Sequence, residues 1–180
     1  MKSRLTLVTL VGFAVTVLSR AFISNTTLLY GVGLPIAKTN RLSGFLYVVL
    51  SMVVYGFIYS LLNPQYEYQL QYGIYACIMA CLVVVFSQAT FFISGKSYFA
   101  KTTVYVLRSF FVIALSDLLT GVLIPCTQGA SFTMLLVGQI EWTLRYSLLS
   151  IIPVLFSPAI DLFIAKGLPK MQINWNFRLR

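Results

Sequence analysis

The sequence contains no histidine and few acids: its 180 residues include 13 Lys and Arg but only 4 Asp and Glu. The lack of histidine removes the commonest metal ligand and the commonest general base in enzymes. The sequence also has no pair of neighbouring carboxylates and no phosphate-binding glycine loop. We therefore expect neither an enzyme nor a protein with a metal ion or another cofactor.

The three cysteines do not change that expectation. Cys77 and Cys81 lie one helical turn apart inside an apolar run, and Cys126 lies far from both. Small apolar packing residues fit this arrangement better than a redox pair or a metal box does.

Charged residues are scarce throughout the chain. They make up 9% of it, against 59% hydrophobic residues, whereas a soluble domain carries about 25% charged residues. The net charge of +9 does not indicate a nucleic-acid partner, because no basic segment is interleaved with aromatics. The cations stand mostly at the ends of apolar runs, where they orient membrane helices and meet lipid headgroups. We expect a lipid bilayer as the partner of this chain.

The longest cation-free stretch lies between Arg41 and Lys96, where Glu67 is the single charged residue. It consists of two apolar runs, residues 42–62 and 72–93, joined by a polar turn. Each run has about the length that a helix needs to cross a bilayer, roughly 20 residues. Cations flank the outer ends and are missing from the turn, which predicts a hairpin with both ends in the cytoplasm.

The same rule predicts the other crossings when cations mark the cytoplasmic side. They are expected at residues 5–22, 27–37, 104–124 and 144–165. The predicted fold class is an all-α integral membrane protein, a compact bundle of six transmembrane helices with cytoplasmic N- and C-termini. It forms a single domain over residues 1–180 and is expected in the inner membrane as a multi-pass protein. A five-crossing alternative treats residues 27–37 as a surface loop and places fewer cations on one side.

Two segments depart from the regular pattern. Residues 28–37 are short and contain two glycines and a proline, and residues 130–142 are amphipathic. In transporters, such interrupted segments often line the substrate site. A kinked helix and an interfacial helix are the alternatives. Pro153 and Pro158 predict a kink in the last helix.

Ionisable groups inside a bilayer are costly and each requires a reason. Asp117 lies thirteen residues into the fifth apolar run and needs a partner on another helix, a ligand or a proton. Arg108 can extend to the inner interface, and Asp161 is expected to have a structural pairing role there. Glu141 and Arg145 are spaced i, i+4, which favours an ion pair within a helix. These groups, with nearby amides and aromatics, could recognise a heterocycle. The candidate substrate-binding residues are Asp117, Glu141, Arg145, Gln88, Gln139, Trp142 and Tyr105.

The second half of the chain resembles a known family. The matching pieces are residues 116–120 (Ser-Asp-Leu-Leu-Thr), Glu141–Trp142 with Arg145, and residues 156–158 (Phe-Ser-Pro) followed by Lys166. Over roughly residues 85–170 they resemble the queuosine-precursor (vitamin uptake) transporter family, related to the small substrate-binding membrane subunits of vitamin transporters. The resemblance implies uptake of a 7-deazaguanine-type precursor, with Asp117 and Glu141 contacting its amine and ring N–H groups.

The leading hypothesis is a small inner-membrane transporter that takes up a heterocyclic nutrient as its small-molecule substrate. Energy would come from a gradient or from a separate ATPase-containing complex, because the chain has no nucleotide-binding motif. A homo-oligomer is compatible with the sequence. The alternatives are a non-transporting membrane subunit of a larger assembly and a small amino-acid exporter.

Overall fold

The computed structural model describes residues 2–22, 28–63, 71–90 and 97–167. Within these ranges the elements are all helical and there is no strand. The helices are α1 (Lys2–Phe22), α2 (Leu28–Thr39), α3 (Arg41–Leu62), α4 (Gln71–Gln88), α5 (Tyr98–Asp117), α6 (Ile124–Thr127), α7 (Phe132–Val154) and α8 (Ser157–Lys166), with a π-helical segment (Leu118–Leu123) between α5 and α6. The prediction of an all-α fold is confirmed.

Four stretches are long and apolar enough to span a membrane: Lys2–Ser19, Arg41–Leu62, Tyr98–Thr127 and Phe132–Lys166. A shorter apolar helix, Gly73–Gln88, lies within α4. Large apolar side chains are exposed along their outer faces, for example Leu10 at 63% and Leu148 at 68%. Exposed apolar surface of this extent is unfavourable in water and favourable against lipid tails. These four stretches and their exposed apolar faces are compatible with a membrane protein.

The short helix α2 lies at the centre of the bundle, in contact with α1, α3, α4, α5, α7 and α8. Leu34, Ile36 and Ala37 are completely buried. Twelve residues make a helix of roughly 18 Å, about half the length of the 22-residue α3. The segment that the sequence marked as interrupted is therefore a regular central helix.

Pro35 lies inside α2 and cannot donate a hydrogen bond to the carbonyl four residues earlier, that of Gly31. The Ser157 hydroxyl donates to this carbonyl instead, at 2.8 Å. Side-chain hydroxyls commonly satisfy the carbonyls that a proline frees in membrane helices. Gly31 also lets α7 approach closely, because a Cβ there would lie 2.6 Å from the carbonyl oxygen of Pro153.

The last helical stretch corrects one expectation and confirms another. Residues 130–142 do not form a separate interfacial helix, since most of them make up the first part of α7. The predicted kink is present as a turn at residues 155–156, between Pro153 and Pro158. At that turn the hydroxyl of Tyr98 donates to the carbonyl of Leu155 at 2.6 Å.

Cations gather at one end of the bundle, which we call the basic end (Arg4, Lys38, Lys101 and Lys166). The guanidinium of Arg4 donates to the carbonyl of Ala165 at 3.5 Å. Lys38, at the end of α2, forms an ion pair with Asp161 of α8. The starts of α1 and α5 and the ends of α2 and α8 therefore meet here.

Candidate functional site

Asp117 is the last residue of α5 and directly precedes the π-helical segment. In that segment the helix widens, so that the amide of Ile124 donates to the carbonyl of Leu119, five residues earlier. Such π-bulges are frequent at functional sites. Gly121 makes room for a side chain of the neighbouring helix, since a Cβ there would lie 2.5 Å from Oε1 of Gln139.

The Asp117 carboxylate is held from α7. The hydroxyl of Thr143 donates to its Oδ2 at 2.7 Å, and the amide of Gln139 lies beside the same carboxylate. Residues 139 and 143 are four apart and therefore share one face of α7. The sequence predicted that Asp117 needs a partner on another helix, and the structure provides one.

A cavity of about 300 Å³ lies next to this contact, between α5 and α7. Its lining residues are Phe110, Ala114, Leu118, Val122, Leu136, Gln139, Ile140, Thr143 and Leu144. Only the amide of Gln139 and the hydroxyl of Thr143 are polar among these side chains. Apolar walls with a few convergent polar groups are typical of small-molecule sites, and the volume is at the lower end of their range.

Three predicted site residues lie elsewhere on α7. Glu141 is two residues from both Gln139 and Thr143, which turns it about half a circle away from Asp117. Glu141, Trp142 and Arg145 are all exposed. The ion pair expected between Glu141 and Arg145 is absent from the part of the chain that the structure describes. The guanidinium of Arg145 instead lies 5.9 Å from the ring centroid of Trp142. Asp117 and Glu141 therefore do not face a common ligand site.

Gln88 lies near the basic end, away from the α5–α7 cavity. Its amide donates to two carbonyls at the end of α2, those of Ala37 at 3.1 Å and Lys38 at 3.3 Å. The last carbonyls of a helix have no partner within the helix. Gln88, predicted as a substrate-binding residue, thus acts as an interhelical cap.

Tyr105 lines a second, smaller cavity at the basic end together with Lys38, Lys101, Arg108 and Asp161. Sequence reasoning had assigned Arg108 to the lipid interface and Asp161 to a structural pair. Asp161 is indeed paired, with Lys38, whereas Arg108 is only 8% exposed and points into the protein. The sequence signal for Arg108 was weak, because it is only the fifth residue of the predicted crossing at 104–124, where a cation can extend to the interface.

No protein-family model, no curated protein and no solved structure matches this chain. The likeness to queuosine-precursor transporters therefore stays a prediction. The functional argument depends on the two cavities and the residues that line them.

Proposed function

We propose that this chain is a small membrane transporter that takes up a heterocyclic nutrient and binds it in the α5–α7 cavity. The observation that carries the proposal is the carboxylate of Asp117 between two helices, fixed by Thr143 at 2.7 Å beside that cavity. A carboxylate within a membrane span is costly and usually belongs to a substrate or proton pathway.

The cavity has the chemistry for a compact ring compound. Phe110 offers an aromatic face, and the Gln139 amide carries both a donor and an acceptor for the edge of a heterocycle. Asp117 accepts hydrogen bonds from Thr143 and Gln139 and keeps further lone pairs for a ligand amine. A 7-deazaguanine carries these edge groups and is the first compound to test, because the sequence resemblance suggests it.

We further propose six crossings with the basic end in the cytoplasm, where both termini would then lie. Support comes from the grouping of Arg4, Lys38 and Lys101 at one end, since Lys and Arg are enriched in cytoplasmic loops. In this arrangement α2 covers half of one crossing. The inner membrane is the compartment that fits this orientation.

The experiment is a binding and uptake assay with Asp117→Asn. Purified protein is melted with a panel of 7-deazaguanines, purines and pterins, because a ligand at 100 times its Kd stabilises the folded state by about 2.7 kcal/mol. We expect one compound to raise the melting temperature, and Asp117→Asn to weaken its binding and uptake at least about tenfold, from the loss of one charged hydrogen bond.

Glu141→Gln is the matched control, because it removes an exposed acid from the opposite face of α7. It should leave binding of the same compound unchanged. Unaltered binding and uptake in Asp117→Asn would refute the role of Asp117, and equal losses in both variants would refute the location of the site.

The exposed face of α7 favours a second candidate, a membrane subunit of a larger assembly. Glu141, Trp142 and Arg145 occupy a surface that would otherwise face lipid, and ionisable groups there are costly without a partner. An ATPase-containing complex or a second copy of this chain could cover them. If this candidate is correct, Glu141→Gln changes the size of the complex extracted in mild detergent. No compound of the panel then raises the melting temperature.

A further inference from the structure

The cavity at the basic end has excess positive charge. It has a volume of about 170 Å³ and is lined by Lys38, Ala100, Lys101, Val104, Tyr105, Arg108 and Asp161. The only acid among these lining residues, Asp161, is already paired with Lys38. The lining therefore has three cations against one carboxylate, which gives it a net charge of +2.

The closed end of this cavity is formed by Arg108. Its Nη2 donates to the carbonyl of Ala89 at 2.8 Å, and its Nε is buried without a hydrogen-bond partner among the described residues. The hydroxyl of Tyr105, a residue only 2% exposed, is also buried and lies beside the carboxylate of Asp161. Arg108 therefore keeps donor capacity that a ligand with acceptor oxygens can use.

The geometry of these donors favours an anion with several oxygens. The guanidinium of Arg108 lies 5.4 Å from the ring centroid of Tyr105, which keeps its planar group in a fixed orientation. A guanidinium presents its N–H donors as a rigid fork that matches phosphate and carboxylate oxygens. Two uncompensated cations correspond to the charge of a phosphate monoester, about −1.5 to −2 at pH 7.

The size and position of the cavity restrict the class of ligand further. A volume of 170 Å³ equals only five or six water molecules at about 30 Å³ each. A phosphate group fits, whereas a ligand of ordinary metabolite size needs about 300 Å³ or more. Lys38, with 43% of its side chain exposed, stands at the mouth. The opening is therefore at the end of the bundle, at the level of lipid headgroups.

We propose that the cavity at the basic end binds a phosphate group. Arg108 contacts its oxygens at the closed end, and Lys101 and Lys38 hold it at the mouth. A soluble phosphate compound and the headgroup of an anionic phospholipid share this chemistry. The site is separate from the α5–α7 cavity and does not depend on transport of a heterocycle.

The test uses the full chain in nanodiscs and measures melting temperature in two arms. In the first, the discs contain only phosphatidylcholine and inorganic phosphate replaces chloride at constant ionic strength. In the second, phosphatidylglycerol replaces part of the phosphatidylcholine without added phosphate. Stabilisation in the first arm identifies a soluble phosphate compound, and stabilisation in the second arm alone identifies a lipid headgroup. Stabilisation in neither arm overturns the proposal.

Three variants distinguish binding at this site from a general effect of surface charge and from the effect of misfolding. Lys101→Gln is expected to weaken the effective phosphate or lipid affinity about fivefold. Asp161→Asn is expected to strengthen it, because Lys38 is released from its ion pair, and a damaged fold would not produce that gain. Lys166→Gln removes the same charge from the same end without lining the cavity and should have little effect. Equal losses in Lys101→Gln and Lys166→Gln, or weaker binding in Asp161→Asn, would overturn the proposal.

Discussion

Gly31→Ala is expected to destabilise the protein at the contact between α2 and α7. The new Cβ would lie 2.6 Å from the carbonyl oxygen of Pro153 and 2.8 Å from its carbonyl carbon, while ordinary contacts begin at 3.4 Å. Both atoms belong to backbone, so the two helices must separate by about 0.8 Å, and overpacking of this kind costs about 1–3 kcal/mol. The separation also stretches the hydrogen bond from Ser157 to the Gly31 carbonyl.

Part of this loss in unfolding free energy is offset, because alanine favours a helix over glycine by about 1 kcal/mol. Gly138→Ala on α7 measures that gain alone, since a Cβ there meets nothing within 4 Å. The difference in unfolding free energy between the two variants should therefore be about 1–3 kcal/mol. Thermal unfolding of the detergent-solubilised protein, followed by loss of the monodisperse chromatographic peak, provides the comparison. Equal melting temperatures for Gly31→Ala and Gly138→Ala would refute the close approach.

Two further predictions concern the α1–α3 contact and the orientation in the membrane. Thr16 and Tyr47 share a buried hydrogen bond of 2.7 Å, so Tyr47→Phe and Thr16→Val should each cost about 0.6 kcal/mol, the average for interhelical bonds in a membrane. The double variant should lose little more than either one, and fully additive losses would mean that the two groups are not coupled. In a chain whose native cysteines are replaced by serine, we expect a membrane-impermeant maleimide on intact cells to label Gln128→Cys. Ser97→Cys, at the basic end, should react only after permeabilisation, and labelling of Ser97→Cys in intact cells would contradict the proposed orientation.

Much of the fold follows from the positions of the cations and the apolar runs. The hairpin of α3 and α4 was predictable because cations flank its outer ends and none lies in its turn. For α2, the sequence predicted the direction of the helix but not its position among the other helices. Its flanking cations indicated a return towards the basic end, but twelve apolar residues give no information about which neighbours surround them. The bond from Ser157 to Gly31 joins residues 126 positions apart, a distance over which local patterns carry no signal.

For the candidate site, the sequence indicated Asp117 but not the residues that contact it. Asp117 is conspicuous because a lone acid within an apolar run is costly. Gln139 and Glu141 are both polar and nearly adjacent, yet only one of them faces Asp117. Which one does so depends on how α7 packs against the neighbouring helix, where Gly121 admits the Gln139 side chain, and the sequence alone does not give that contact. Lys38 and Asp161 were visible as charges, but the cavity that they line exists only once α2, α5 and α8 meet.

The central position of α2 has a consequence for how the protein is made. At synthesis rates of about 5–20 residues per second, roughly ten seconds separate the appearance of Gly31 from that of Ser157. During that interval the Gly31 carbonyl freed by Pro35 lacks its final partner, and a helix of roughly 18 Å cannot by itself bridge a bilayer of about 30 Å. The second segment of the chain therefore reaches its final place only after the last segment has left the ribosome. A ribosome-stalled chain ending before α7 should leave α2 open to protease or to chemical labelling, while α3 and α4 are already inserted.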